Sequence, residues 1–139
     1  MLTFKEADQL HWKILKLIWQ NVDRTKPTHY EVRRLANVQE NVIEAIATGQ
    51  YVTIYEAGEL KAFGSWWRLD KEGLEAALDG MKPHTRTEGE NVFITEATAC
   101  VGYMLKLVKC LRDVNGKRYA SWHRSKNGKW FEGSKYGTR

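Results

Sequence analysis

The stretch NVIEAIATGQYVTIYEAGELKAFGSWWRLDKE, residues 41–72, decides the fold, because its hydrophobic period changes partway along. Val42, Ile43 and Ile46, with Val38 just ahead, recur at helical spacing, and Gly49 supplies a left-handed residue that can end a helix. From Tyr51 the period drops to two. Tyr51-Val52-Thr53-Ile54-Tyr55 is β-branched and aromatic, Ala57-Gly58-Glu59 supplies a turn, and residues 60–69 return as a second strand. A helix running into a β-hairpin suits a helix-covered sheet, so the expected fold class is α+β.

On the N-terminal side, Leu10, Ile14, Leu17 and Ile18 lie at i, i+4, i+7 and i+8, with Trp12 and Trp19 on the flanks. This spacing predicts a helix over residues 4–20, ended by a polar segment in which Pro27 disfavours helical geometry at Lys26. On the C-terminal side, Asp70 can cap a short helix through Leu74, Ala77 and Leu78. Residues 80–90, with Pro83, read as the longest loop and as a mobile one. Residues 91–95 follow as a strand, and Val101, Leu105, Val108 and Leu111 as a helix. Residues 118–122 and 129–132 flank Asn127-Gly128, a hairpin signal. The expectation is a single domain over residues 1–139, with a central, mostly antiparallel sheet flanked by helices.

The length of 139 residues fits one ordinary domain, and 42% hydrophobic with 28% charged residues argues against a largely disordered chain. The net charge of +5 is unevenly spread: residues 105–139 hold 10 Lys and Arg against 2 Asp and Glu, while the rest hold 12 against 15. A basic C-terminal third therefore follows a slightly acidic body.

No apolar run is long enough to span a membrane, and the N-terminal residues lack the pattern of a secretory signal. Cys100 and Cys110 read as members of one helix, about 15 Å apart along its axis, too far for a bridge. Reduced thiols and a cytoplasmic location are expected. No cysteine or histidine pair has metal-ligand spacing, so no metal is expected.

Residues 41–69 resemble the toxin-activating lysine acyltransferases, bacterial enzymes that fatty-acylate internal lysines of pore-forming, haemolysin-type toxins. In that family an apolar segment precedes Gln-Tyr, a strand, a turn with a small polar group, and a second strand ending near Ser-Trp. Glu44-Ala45-Ile46, Gln50-Tyr51, Ala57-Gly58-Glu59 and Ser65-Trp66 stand in those places. At its broadest the resemblance covers residues 10–133. It implies a GNAT-like fold, of which the family is a divergent branch, and an acyl carrier protein as the acyl donor. It also implies a catalytic histidine in a Ser-x-x-His context. His29 matches that histidine, 21 residues before Gln50, with Lys26 at the serine position. The family's aspartate falls on Thr95, or on Glu96 if one residue is shifted. His29 is thus the expected base, with Glu96 or Thr95 beside it.

The chemistry makes such a base necessary, because a lysine ammonium must lose a proton before its nitrogen can attack a thioester. Residues 97–103, ATACVGY, lack the Gly-rich turn that would cradle a pyrophosphate, so coenzyme A is not expected, nor is any tightly bound cofactor. An acidic carrier, or an acidic protein acceptor, would find a partner in Lys117, Arg118, Arg124, Lys126 and Lys129. These cations alternate with Tyr119, Trp122, Trp130 and Phe131, a pattern that also suits single-stranded nucleic acid.

Blander readings stand beside these. His29 reads equally as a surface-loop residue, His11 and His84 as structural or solvated, and His123 as part of an exposed strand. Trp66 and Trp67 point to opposite faces of a strand, so at least one belongs to the core. The alternative expectation is a catalytically degenerate GNAT-like bacteriophage protein with a structural, virion-associated or host-interaction role, an analogy from fold and size.

Overall fold

A computed structural model describes residues 1–21, 35–116, 119–124 and 129–135, the last two stretches by their backbone. Helix α1 (Phe4–Asn21) buries Leu10, Ile14, Leu17 and Ile18, the stripe that its spacing predicts. Its start is fixed by a reciprocal cap: Glu6 N donates to Thr3 Oγ1 at 3.1 Å, and Thr3 N donates to Glu6 Oε1 at 3.0 Å. Helix α2 (Leu35–Thr48) packs Val38, Val42 and Ala45 against that stripe. Phe63 from the sheet closes this cluster and is fully buried.

Strands β1 (Tyr51–Glu56) and β2 (Glu59–Leu69) form the expected hairpin across the two-residue turn Ala57–Gly58. Asp70 Oδ1 accepts from Gly73 N at 2.7 Å and starts α3 (Lys71–Leu78). Strand β3 (Asn91–Ala99), helix α4 (Met104–Asn115) and strands β4 (Tyr119–Arg124) and β5 (Lys129–Lys135) complete the chain order. The strands form one sheet in the order β1-β2-β3-β4-β5. Every junction is antiparallel except β3–β4, which is parallel and joined through α4. The fold is α+β, and its sheet is mostly antiparallel.

Register and packing sort the sheet into two faces. Tyr51, Phe63 and Ser65 lie on the face covered by α1 and α2; farther along that face Trp67, Leu69 and Phe93 meet α3. Ala62, Trp66 and Val92 lie on the other, against Leu107 and Leu111 of α4. Trp66 is core, as its face requires, and Trp67 stacks on Phe93 with ring centroids 5.5 Å apart. At Gly64 a side-chain carbon would come within 3.0 Å of Leu111 Cδ2 and 3.1 Å of Leu107 Cδ1, so its absence lets α4 approach. Among the described residues, no helix is long and apolar enough to cross a membrane.

Three expectations need correction. Strand β3 runs on to Ala99, four residues past the predicted end, because its later residues pair with residues 62–65 of β2. Helix α4 starts at Met104, since Tyr103 N donates to Cys100 O at 3.0 Å and closes a turn first. Val101 is therefore exposed, and only Cys110 of the two free cysteines lies in the helix.

The third correction concerns residues 80–90, which are strapped to the sheet rather than loose. Arg86 donates Nε and Nη2 to the two oxygens of Glu44 on α2, at 2.8 and 3.0 Å, and Lys82 Nζ lies 3.2 Å from Glu44 Oε2. Arg86 O accepts from Arg68 N at 2.9 Å and from Gln50 Nε2 at 3.0 Å. The Arg68 guanidinium donates to Gly89 O through Nε and Nη2, at 3.2 and 3.0 Å. Gly89 sits at φ +137°, so close to β2 that a Cβ would lie 2.2 Å from the carbonyl carbon and oxygen of Leu69. Only glycine fits that approach.

Candidate functional site

The polar residues of the sheet gather where β2 and β3 fall out of register. Ser65 stands opposite Glu96, but the next residue, Trp66, stands opposite Ile94. Thr95 is the extra residue of a β-bulge. The bulge turns Thr95 toward the same face as Ser65, and the two hydroxyl oxygens lie 2.8 Å apart in a buried hydrogen bond. It also resets the alternation downstream, so that Glu96 and Thr98 follow on the side covered by α1 and α2.

Glu96 is 4% exposed. Thr98 Oγ1 donates to Glu96 Oε2 at 2.9 Å, as residues two apart on one strand face can. Burial pushes the Glu96 carboxyl up to about 8, against the opposing pull of the Thr98 bond. At neutral pH the group is therefore mainly a neutral acid, with a proton to donate.

One strand away, Gln50 extends the polar framework. Its backbone O accepts from Trp66 N at 3.2 Å, and its Nε2 donates to Trp66 O at 3.0 Å and to Arg86 O. The backbone of Trp66, at the slip in the register, is thus held from the β1 side. Glu44, at the end of this framework, has a lowered pKa: burial works to raise it, and hydrogen bonds and charge from Arg86 and Lys82 outweigh that. Glu44, Arg86 and Gln50 thus form a bonded chain that ends on the backbone of Trp66, beside the bulge.

Of the expected catalytic residues, Thr95 and Glu96, adjacent in the chain, both lie at the bulge opposite Ser65; His29 lies outside the described residues. Lys117, Arg118 and Lys126 also lie outside them, as does the Asn127-Gly128 turn. The backbone register sets Arg124 of β4 opposite Lys129 of β5. His84 is exposed, and His11 is buried in α1, its Nε2 3.0 Å from the Gln39 amide nitrogen.

Sequence reasoning gave no task to Thr98, although its position two residues after Glu96 on a strand was a usable signal. Nor did it assign one to Arg86, whose carboxylate partner is 42 residues away in sequence. The parallel register of β3 with β4 covers Asn91–Phe93 against Tyr119–Ser121, so the bulge and Glu96 lie on the part of β3 beyond it. Comparison with protein-family models finds no match, and comparison with curated proteins finds none either.

Proposed function

We propose that the chain is an acyltransferase-like protein of GNAT-like architecture, similar to the toxin-activating lysine acyltransferases, which moves a fatty acyl chain from an acyl carrier protein to a protein lysine. The observation that carries this reading is Glu96, a buried carboxyl bonded by Thr98 at a bulge on the stretch of β3 beyond its register with β4, where burial raises its pKa. In the transfer, the lysine nitrogen attacks the thioester carbon, a C–N bond forms and the C–S bond breaks. Starting from the ammonium, nitrogen loses two protons, one to the base before attack and one as the tetrahedral adduct collapses, and sulfur gains one.

His29 is assigned the proton loss before attack by the resemblance. Glu96, titrating at about 8, is matched to a thiol of ordinary pKa about 8.5 and suits the gain at sulfur. The basic C-terminal third, including Lys117, Arg118, Arg124, Lys126 and Lys129, provides the dock for an acidic carrier.

A second reading has its own support. Glu96 is 4% exposed, and the Ser65 and Thr95 hydroxyls bond to each other. A sealed cluster of this kind suits a catalytically degenerate GNAT-like protein with a structural, virion-associated or host-interaction role. The deciding experiment supplies acyl carrier protein bearing a labelled chain and follows label on protein lysines. Labelling by the wild type that is lost in His29→Ala and reduced at least tenfold in Glu96→Gln supports transfer. Equal labelling by wild type and His29→Ala, or none by either, removes the catalytic reading in favour of the second.

A further inference from the structure

We infer that β1 is a self-pairing edge: two copies of the chain join antiparallel along it, about a twofold axis at Thr53, and so continue one sheet into the next. This interface is separate from the bulge and independent of any acyl transfer.

The hydrogen-bond ladder shows which backbone groups of β1 are left over. In an antiparallel pair, residues that exchange bonds with the neighbouring strand alternate with residues that point their N–H and C=O away from it. Gln50 O accepts from Trp66 N at 3.2 Å, and on the far side of β2 Lys61 O accepts from Cys100 N at 2.8 Å. Both bonds set the same phase: Val52 and Ile54 bond to Gly64 and Ala62, whereas Lys61 and Phe63 turn to β3. Tyr51 and Thr53 therefore direct their backbone groups away from β2. So does Tyr55, because the register shift after Ile54 puts its extra residue, Lys61, on β2 and leaves β1 regular. Strand β1 ends the sheet, and among the described residues no strand lies beyond it.

Composition separates this edge from the opposite one. In sequence, β5 has a lysine at each end and a glycine within, residues that blunt an edge against further pairing. Residues 51–55 contain no lysine, proline or glycine, and each is β-branched or aromatic.

An axis at Thr53 makes the strand its own complement. Thr53 meets its counterpart in the second copy, Tyr51 meets Tyr55, and Val52 meets Ile54. Aromatic, threonine and β-branched pairs of this kind stabilise a ladder. The faces agree as well, since Tyr51, Thr53 and Tyr55 share one side of the sheet and Val52 and Ile54 the other. The one charge in β1, Glu56, falls opposite Gln50 of the second copy, so no like charges meet. An axis at Ile54 would instead set Glu56 against Val52. Tyr55, at the end of the paired stretch, is 47% exposed and free to take a neighbour. The contact uses the same patch on both copies, so it closes at the dimer.

The test is sedimentation velocity on the full chain at rising concentration, in which the wild type is expected to pass from monomer to dimer. Thr53→Pro removes an N–H that faces away from β2, a place where an edge strand tolerates proline. Thr53→Lys sets two like charges against each other on the axis. Each is expected to weaken the dimer by about tenfold or more, with the far-UV circular dichroism of the wild type, whereas Thr53→Val keeps the pairing and the dimer. Should the proline variant not fold, the lysine variant decides. A wild type that stays monomeric at about 1 mM would overturn the inference. So would a dimer left intact in the folded lysine variant, which would place the contact on another surface.

Discussion

At the rim of the sheet, Glu44 keeps its charge because Arg86 and Lys82 reach it. Under α1 and α2, Glu96 is more deeply buried, has a threonine hydroxyl as its described donor, and holds its proton to about pH 8. The two carboxyls depart from the same ordinary value in opposite directions. At Glu44 the bonds and charge of Arg86 and Lys82 outweigh desolvation, whereas at Glu96 desolvation is the larger influence and the Thr98 bond the smaller. The rim spends its ionic bonds on holding a strap, whereas the bulge keeps a protonated acid within the sheet.

The strongest blow to the rim is Gly89→Ala. A Cβ 2.2 Å from the Leu69 backbone cannot be accommodated, so the strap must lift, at a cost of about 3 kcal/mol or more in urea denaturation. Thermal melting should fall with it. A variant as stable as the wild type would mean that the strap contributes nothing to the fold.

The next test uses pH to set the two regions against each other. Glu96 binds its proton more tightly in the folded chain than in the unfolded one, with 4.5 as the ordinary value and about 8 in the fold. Its contribution to stability is complete below about pH 4.5 and is lost as pH rises through about 8, an effect of a few kcal/mol. Glu96→Gln should flatten this neutral-to-alkaline decline in the urea midpoint. An unchanged decline would break the contrast at its buried end.

Glu44 works with the opposite sign: its contribution is present above the ordinary carboxylate value and is lost as pH falls through the lowered one. Arg86→Ala should cost about 1–2 kcal/mol at pH 7 and soften the acid limb alone, because the pair is partly exposed and Lys82 remains. Denaturant midpoints from pH 3 to 7 would check this (roughly the carboxylate range).

Much of this fold could be read from local pattern. The α1 stripe and the period change at Tyr51 depend on residues close in sequence, and so does the Asp70 cap. The strap could not be read in that way. Its bonds join Arg86 to Glu44 and to Gln50 across long intervals, and nothing in a run of Pro, His, Thr and Arg announces such partners.

The candidate site was legible only as residue types for a related reason. Thr95 and Glu96 could be named as neighbours on one strand, but the bulge that sets both of them opposite Ser65 could not be foreseen. Periodicity alone assumes an unbroken ladder and cannot show where an extra residue enters it. Cys100 was misplaced by the same assumption applied to a helix, which continued the apolar spacing through a turn.

The missing side chain at Gly64 also has a mechanical consequence. Leu107 and Leu111 rest where its Cβ would be, and the helix that carries them is the connection from β3 to β4. An added methyl would act as a shim between sheet and helix, displacing those leucines by a few tenths of an ångström. The spacing of the crossover helix from the sheet is thus gauged by one absent carbon.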